Sequence, residues 1–157
     1  MDQRVLAVDR VARVVKGGRR FRFRALVCLG DKQGSVGVGS AKGADVTSAI
    51  TKAVAIARKN MIKVSLKGTT LPHEVQAKVG GAKILIKPAP EGTGLIAGSV
   101  VREILDALGV ANAVTKSLGN NNKTNASYAC IEALQSLVPE NKWVTASSKS
   151  TPKKETK

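Results

Sequence analysis

From residue 20 the chain alternates. Phe21, Phe23, Ala25, Val27 and Leu29 fall on one side of an extended chain, and Arg20, Arg22, Arg24, Leu26 and Cys28 on the other. This predicts a strand over 20–30. Residues 4–15, rich in valine and interrupted by charge, predict a strand before it. Lys16-Gly17-Gly18-Arg19 reads as the hairpin loop between them, because glycine reaches the positive φ angles of a tight turn. Gly30-Asp31-Lys32-Gln33-Gly34 is a turn, and 35–41 a third strand. Its Gly37 and Gly39 share a face, so that face lies against a helix or an RNA backbone. Asp45 is the candidate N-cap of a helix to about Met61, with Val46, Ile50, Ala53, Val54 and Ala57 as its apolar stripe. The first half is three strands and a helix.

The pattern restarts after Lys67-Gly68-Thr69-Thr70-Leu71-Pro72. His73, Val75, Ala77 and Val79 alternate with polar residues, Gly80-Gly81 makes a two-residue turn, and 82–87 returns as a second strand. Residues 91–98 form a glycine loop. A helix follows with Val100, Val101, Ile104, Leu105 and Leu108 on one face and Gly109 as its stop. Residues 111–118 predict a strand, and the polar loop 119–124 caps a last helix. Its stripe is Cys130, Ile131, Leu134, Leu137 and Val138, and Pro139 ends it. The fold class is α+β, with domains at 1–67 and 68–138. The tail 139–157, mostly Lys, Ser and Thr from Glu140 on, is expected to be flexible.

Charge changes this picture most. Across 157 residues the net charge is +15, with 43% apolar residues to build a core. Residues 10–24 hold seven cations and no carboxylate; Asp9 and Asp31 are the nearest acids. An arginine row on the back of a strand calls for a polyanion or water over it. The bland reading is a solvated edge strand guarded by charge, but such strands usually mix Lys with Glu. The expected partner is anionic: nucleic acid ahead of an acidic membrane surface or an acidic protein. The candidate RNA-contacting residues are Arg13, Lys16, Gly17, Gly18, Arg19, Arg20, Arg22, Arg24 and Lys42, with Lys52, Arg58 and Lys59 on the helix. Arg58 and Lys59 also suit the negative end of the helix dipole. No apolar run approaches the ~18 residues of a membrane span, and the N-terminus lacks the apolar core of a secretory signal.

Catalytic and cofactor chemistry finds little footing. Gly92, Gly94 and Gly98 are spaced G-x-G-x-x-x-G, one residue off the dinucleotide pattern, and neither the acidic partner nor a Walker-type lysine follows. His73 and Glu74 would point to opposite faces of a strand, which disfavours an acid–base pair. Cys28 and Cys130 read as reduced, buried thiols, with a disulfide as the alternative. Two cysteines and one histidine cannot complete a zinc site without carboxylates. No cofactor, metal or catalysis is expected.

Several blocks resemble the bacterial small-subunit ribosomal protein five family. They are the run from Arg10 to Phe21, Gly30-Asp31 through Gly39, Ala53 to Met61, Thr70-Leu71-Pro72-His73, Lys87-Pro88-Ala89, the run from Gly92 to Gly98, Arg102 and Leu118-Gly119. The resemblance runs in register from about residue 4 to 138. It implies a double-stranded-RNA-binding-like domain, then a small α/β two-layer sandwich with a left-handed crossover. It implies binding to 16S rRNA near the decoding region and mRNA entry path, and contact with ribosomal proteins four and eight. It also implies roles in subunit assembly and translational accuracy, in the cytoplasm. The family loop matching Val11, Ala12, Lys16, Gly17 and Gly18 borders the spectinomycin site, and positions matching Gly94 and Arg102 face ribosomal protein four. Three places depart from the family. Its Tyr-Gly-Lys-Ala run is Ser40-Ala41-Lys42-Gly43 here, the glycine after Gly98 is Ser99, and its Gly-Ser-x-Asn loop is Gly119-Asn120-Asn121-Asn122. The usual N-terminal extension is nearly absent. The expected function is a structural, rRNA-binding component of the small subunit. The alternatives are a free double-stranded-RNA-binding regulator or RNA chaperone, and a nucleotide-dependent enzyme built on the second domain.

Overall fold

β1 (Asp2–Val15) and β2 (Gly18–Gly30) pair antiparallel over nearly their whole length in the computed structural model, which describes residues 1–139, 142 and 143. β3 (Ser35–Gly43) pairs with β2 from Gly30↔Val36 to Phe23↔Gly43, so residues 18–22 of β2 have β1 alone as a neighbour. β4 (Ile62–Lys63), a strand missed in the sequence, completes a sheet of order β1-β2-β3-β4. Its two residues are too few to show a periodicity.

α1 (Val46–Lys59) lies across the face of this sheet that carries Ala25 and Val27. Its buried residues are Ala49, Ala53 and Ala57. They meet Gly37, Gly39 and Gly43, where an added Cβ would collide with backbone of Ala57, Ala53 or Ala49. The shared glycine face thus lies on a helix. The expected stripe is corrected. Val46 is exposed, Ile50 and Val54 are half-buried, and small residues face the sheet because the glycine surface brings the helix axis close. Asp45 caps the helix through a reciprocal capping box with Ser48.

The second sheet has the order β5-β6-β8-β7. β5 (Val75–Val79) and β6 (Ala82–Pro88) form the expected hairpin, with Val79↔Ala82 closing a two-residue turn. β8 (Ala113–Ser117) runs antiparallel to β6, and β7 (Leu95–Ile96) lies parallel to β8 inside the stretch read as a glycine loop. α2 (Ser99–Leu108) connects β7 to β8 and stops at Gly109, which is left-handed (φ 98°). α3 (Lys123–Gln135) follows β8, its N-cap Asn122 accepting from the Thr124 N–H. Its stripe is also corrected. Ala126, Ala129, Cys130, Ala133 and Leu134 are buried, Ile131 is half-buried, Leu137 is buried beyond the helix end, and Val138 is exposed.

A single apolar cluster runs through both layers. Leu6, Leu26, Cys28, Val36 and Val38 of the first sheet's second face, with Val64 just after β4, pack with Ile84, Ile104, Leu108, Cys130 and Leu134. The far end of β2 is therefore covered on both faces, by α1 on one and by α2 on the other. A bulge between Val5 and Ala7 sets Leu6 into this core. The β2–β3 turn docks on the end of α2. Lys32 N–H donates to Ala107 O (3.0 Å), and Gly34 N–H to Leu108 O (3.0 Å). The Asp31 carboxylate takes the Gln33 and Ser35 N–H groups at 2.8 Å; burial works against its charge, but these bonds outweigh it and hold its pKa below the usual value. Arg4 ties the same seam, donating to Glu103 at 2.5 Å and pairing with Asp106 and Asp2. The hydrogen bond to Glu103, against opposing desolvation, raises its pKa further. Both cysteines are free and buried in this shared core, and desolvation pushes Cys28 up to about 12 and Cys130 upward as well.

Candidate nucleic-acid interface

The β1–β2 hairpin extends past β3 as a two-stranded arm, and its register decides which cations meet. Arg13 lies opposite Arg20, Val11 opposite Arg22, and Asp9 opposite Arg24, which itself faces Lys42 on β3. Cross-strand partners point to the same side. Arg13, Arg20, Arg22, Arg24 and Lys42 therefore share the face turned away from α1. With Val11, Ala12 and Val15, most of them line an open groove of about 310 Å³. Its walls are arginine and lysine stems over valine, a surface suited to phosphates above and sugar edges below.

Within this set the residues differ. Arg13, Lys16, Arg19, Arg20 and Arg22 are exposed. Arg24 is half-buried and donates to the Asp9 carboxylate at 2.7 Å, so part of its charge is answered inside the chain. Gly17 (φ 89°) and Gly18 (φ 148°) close the arm with nothing packed against them. Phe21, expected on the buried face, is 47% exposed. It lies beyond the reach of α1, and the Arg10 guanidinium covers its ring at 3.8 Å from the centroid. Lys52, Arg58 and Lys59 are exposed on α1, on the opposite layer, and do not join the groove. The Asp9–Arg24 pair and the Arg10–Phe21 stack escaped the sequence reading. The sequence holds their signal, but only through the hairpin register, which follows from placing the two-residue turn at Lys16-Gly17, with Val15 opposite Gly18.

The other candidate sites resolve differently. Gly94 has φ 72° and open space beside its Cα. Its N–H donates to Asn112 Oδ1 (2.9 Å) and its carbonyl accepts from Ala113 (3.1 Å), so this backbone serves the fold rather than a phosphate. Arg102 is exposed, as expected, and its guanidinium is anchored on Leu95 O at 2.6 Å. His73 donates from Nδ1 to the Glu74 carbonyl (2.8 Å) and accepts the Val138 N–H at Nε2 (2.9 Å), while the Glu74 carboxylate pairs with Lys87 at 3.3 Å. The two do not act on a common atom. Among the described residues no group of three metal-ligating side chains forms, and no helix is long and apolar enough to cross a membrane.

Two family matches bear on this geometry. Residues 1–65, the first sheet with its arm and α1, match Ribosomal protein S5, N-terminal domain. Residues 77–142, spanning most of the second sheet with α2 and α3, match Ribosomal protein S5, C-terminal domain. The matches occur in the family's own order and together take in both layers of the fold. The basic arm, the α/β layer fused to it by a common core, and these two matches agree that the chain belongs to the ribosomal protein S5 family.

Proposed function

We propose that the arm carries the chain's RNA contacts, with Arg13, Arg20, Arg22 and Lys42 on phosphates over the groove and Lys16, Gly17, Gly18 and Arg19 at the tip. Membership of the family makes the protein a structural, rRNA-binding constituent of the small ribosomal subunit in the cytoplasm, and not an enzyme. The free RNA chaperone or regulator gains no support. The observation that carries the arm reading is the gathering of four cations from three strands onto one uncovered face, with Asp9 as the carboxylate beside them. Arg24 contributes less because of that carboxylate, and Lys52, Arg58 and Lys59 would form a separate contact on the helix layer.

Finer assignments belong to the same proposal. The division at 67/68 rests on the turn-rich run from Lys67 to Pro72, and the bacterial type, the neighbours ribosomal proteins four and eight, the mRNA entry path, subunit assembly and translational accuracy rest on the sequence blocks. So does the spectinomycin-bordering role of Val11, Ala12, Lys16, Gly17 and Gly18. For Gly94 and Arg102 the open space beside the first and the exposed, anchored guanidinium of the second suit contact with another protein. The tail lies outside the described residues except for Pro139, Lys142 and Trp143.

The test is the salt dependence of binding to small-subunit rRNA. Removing one phosphate-bound cation should lower the slope of log affinity against log salt by roughly 0.7–0.9. The double variant R20Q/R22Q should lower it by about 1.5 units. R24Q should lower it less than either single change. An unchanged slope in R20Q/R22Q would remove the arm from the interface.

A further inference from the structure

The sequence holds one histidine and one tryptophan, and the fold brings them together. His73 lies just ahead of β5, and Trp143 returns to it from beyond α3, with ring centroids 6.1 Å apart and planes tilted by 56°. Both grip the backbone of Val138. Its N–H donates to His73 Nε2 at 2.9 Å, and its carbonyl accepts the Trp143 indole N–H at 3.1 Å. The Lys142 N–H donates to the Pro139 carbonyl at 2.9 Å, which turns the chain back. Leu137, one residue before Val138, is buried in the shared core. The segment that leaves α3 is thus pinned by packing at Leu137, and beyond it by two side chains acting on one residue.

The protonation state of the ring follows from its partners. An amide N–H can only donate, so Nε2 bears no proton. The Glu74 carbonyl, 2.8 Å from Nδ1, can only accept, so Nδ1 carries one. The neutral Nδ1–H tautomer alone satisfies both bonds. A second proton would sit on Nε2 and point at the Val138 N–H, setting two donors face to face where one bond had been. The Trp143 ring offers little in exchange, because at 6.1 Å and a 56° tilt it stands at the outer limit of cation–π contact. The charged groups on the surrounding elements are Glu74 and Lys87 of the β5–β6 hairpin, Lys67 ahead of it, Glu132 as the last ionisable group of α3, and Lys142 on the returning segment. Among the described residues no side-chain charge bonds to the ring, and the Glu74 carboxylate is held by Lys87 at 3.3 Å. Histidine is the side chain whose charge changes between about pH 5 and 8.

We infer that His73 is a proton-operated latch on the C-terminal segment. Neutral, it holds Val138 and Trp143 against the start of β5. Protonated, it lets both go, while Leu137 stays in the core. Beyond Trp143 the sequence carries Lys149, Lys153, Lys154 and Lys157 against Glu155. The latch therefore fixes the point at which a basic stretch joins the fold, and opens on the side of pH where the protein's positive charge is highest. No residue of the latch lines the arm groove, so the RNA reading above does not depend on it.

The experiment follows the full chain from about pH 8.5 to 5 at constant ionic strength, across the range in which histidine titrates. Trp143 emission and anisotropy report the segment, the Val138 amide resonance reports the bond, and far-ultraviolet circular dichroism reports the fold. In the wild type, emission should shift to the red and anisotropy should fall as pH drops, with one midpoint shared by the Val138 amide and the His73 ring protons, while the dichroism holds constant. H73Q keeps an acceptor in its amide oxygen and cannot titrate, so its Trp143 signal should stay flat. H73A should show the released signal at every pH. A wild-type Trp143 signal that stays flat while the ring titrates overturns the latch, as does a ring that stays neutral down to pH 5. An equal transition in H73Q would mean that another group works the segment. Anisotropy that rises as pH falls would overturn it in favour of a charged ring gripping Trp143, and a dichroism change coincident with the Trp143 shift would replace it with unfolding of the whole layer.

Discussion

Cys28 shows how far one residue's chemistry is set by its neighbours. Its thiol faces the seam between the two layers, where desolvation raises its pKa to about 12 from an ordinary value near 9. The folded chain therefore holds a proton between those values that the unfolded chain releases. Stability owed to this group is fully present below pH 9 and is lost as pH rises through 12, by up to about 4 kcal/mol. Thermal unfolding of wild type and Cys28→Ala across pH 8.5–11 checks this. The wild type should lose stability more steeply, and parallel curves would refute it. Gly39 makes the complementary point by its size. The Ala53 carbonyl of α1 occupies the place of a side chain, so overpacking of about 1–3 kcal/mol awaits any larger residue.

Elements here are unequal in stability because they are unequal in neighbours. β2 is a central, doubly covered strand over Ala25–Gly30, where every residue is buried, and half of a bare hairpin over 18–22. A two-stranded ribbon without a packed face is marginal by itself. Amides of residues 10–15 and 18–22 should exchange with solvent at least tenfold faster than those of 25–30, and binding rRNA should close most of the gap. Hydrogen exchange with and without rRNA measures both. Equal protection along β2 in the free chain would contradict a lightly held arm. Such an arm can adapt to RNA, and the rigid sheet behind it fixes where it starts.

At the scale of the whole molecule, two sheets share one core. Dividing the chain at 67/68 would bare Leu6, Leu26, Cys28, Val36, Val38 and Val64 on one side and the inner faces of α2 and α3 on the other. The Arg4 cluster and the turn bonds to Ala107 and Leu108 add polar closures to the same seam. Unfolding of the full chain by urea should therefore follow one transition, coincident by far-ultraviolet circular dichroism and Trp143 fluorescence. Fragment 1–67 alone should show a broadened transition and bind a hydrophobic dye. Two separated transitions in the full chain would mean that the layers are independent.

Read alone, the sequence determined the alternation of β2, the hairpins at Lys16-Gly17-Gly18-Arg19 and Gly80-Gly81, the Asp45 cap, the Gly109 stop and the excess of cations on residues 10–24. Each of these is written in residues close together in the chain, so local propensity and period suffice to read them. The family, too, was legible from blocks spread along nearly all of the described chain. Only the tertiary structure decided which face of β2 is dry. Leu26 and Cys28 share the arginine face, and its fate changes from open to buried where α2 arrives from about 70 residues away in the chain. It alone decided that Ala49 joins Ala53 and Ala57 against the sheet while Val46, Ile50 and Val54 draw back, because the width of the contact depends on glycines of another strand. It alone showed that the two-residue strands β4 and β7 exist, since each is defined by pairing with a longer strand distant in the chain, β3 for one and β8 for the other. And it alone separated the cations into an arm groove and a helix layer. Charge is a property of composition, but the direction a charge points is set by the register and packing of elements that are distant in sequence.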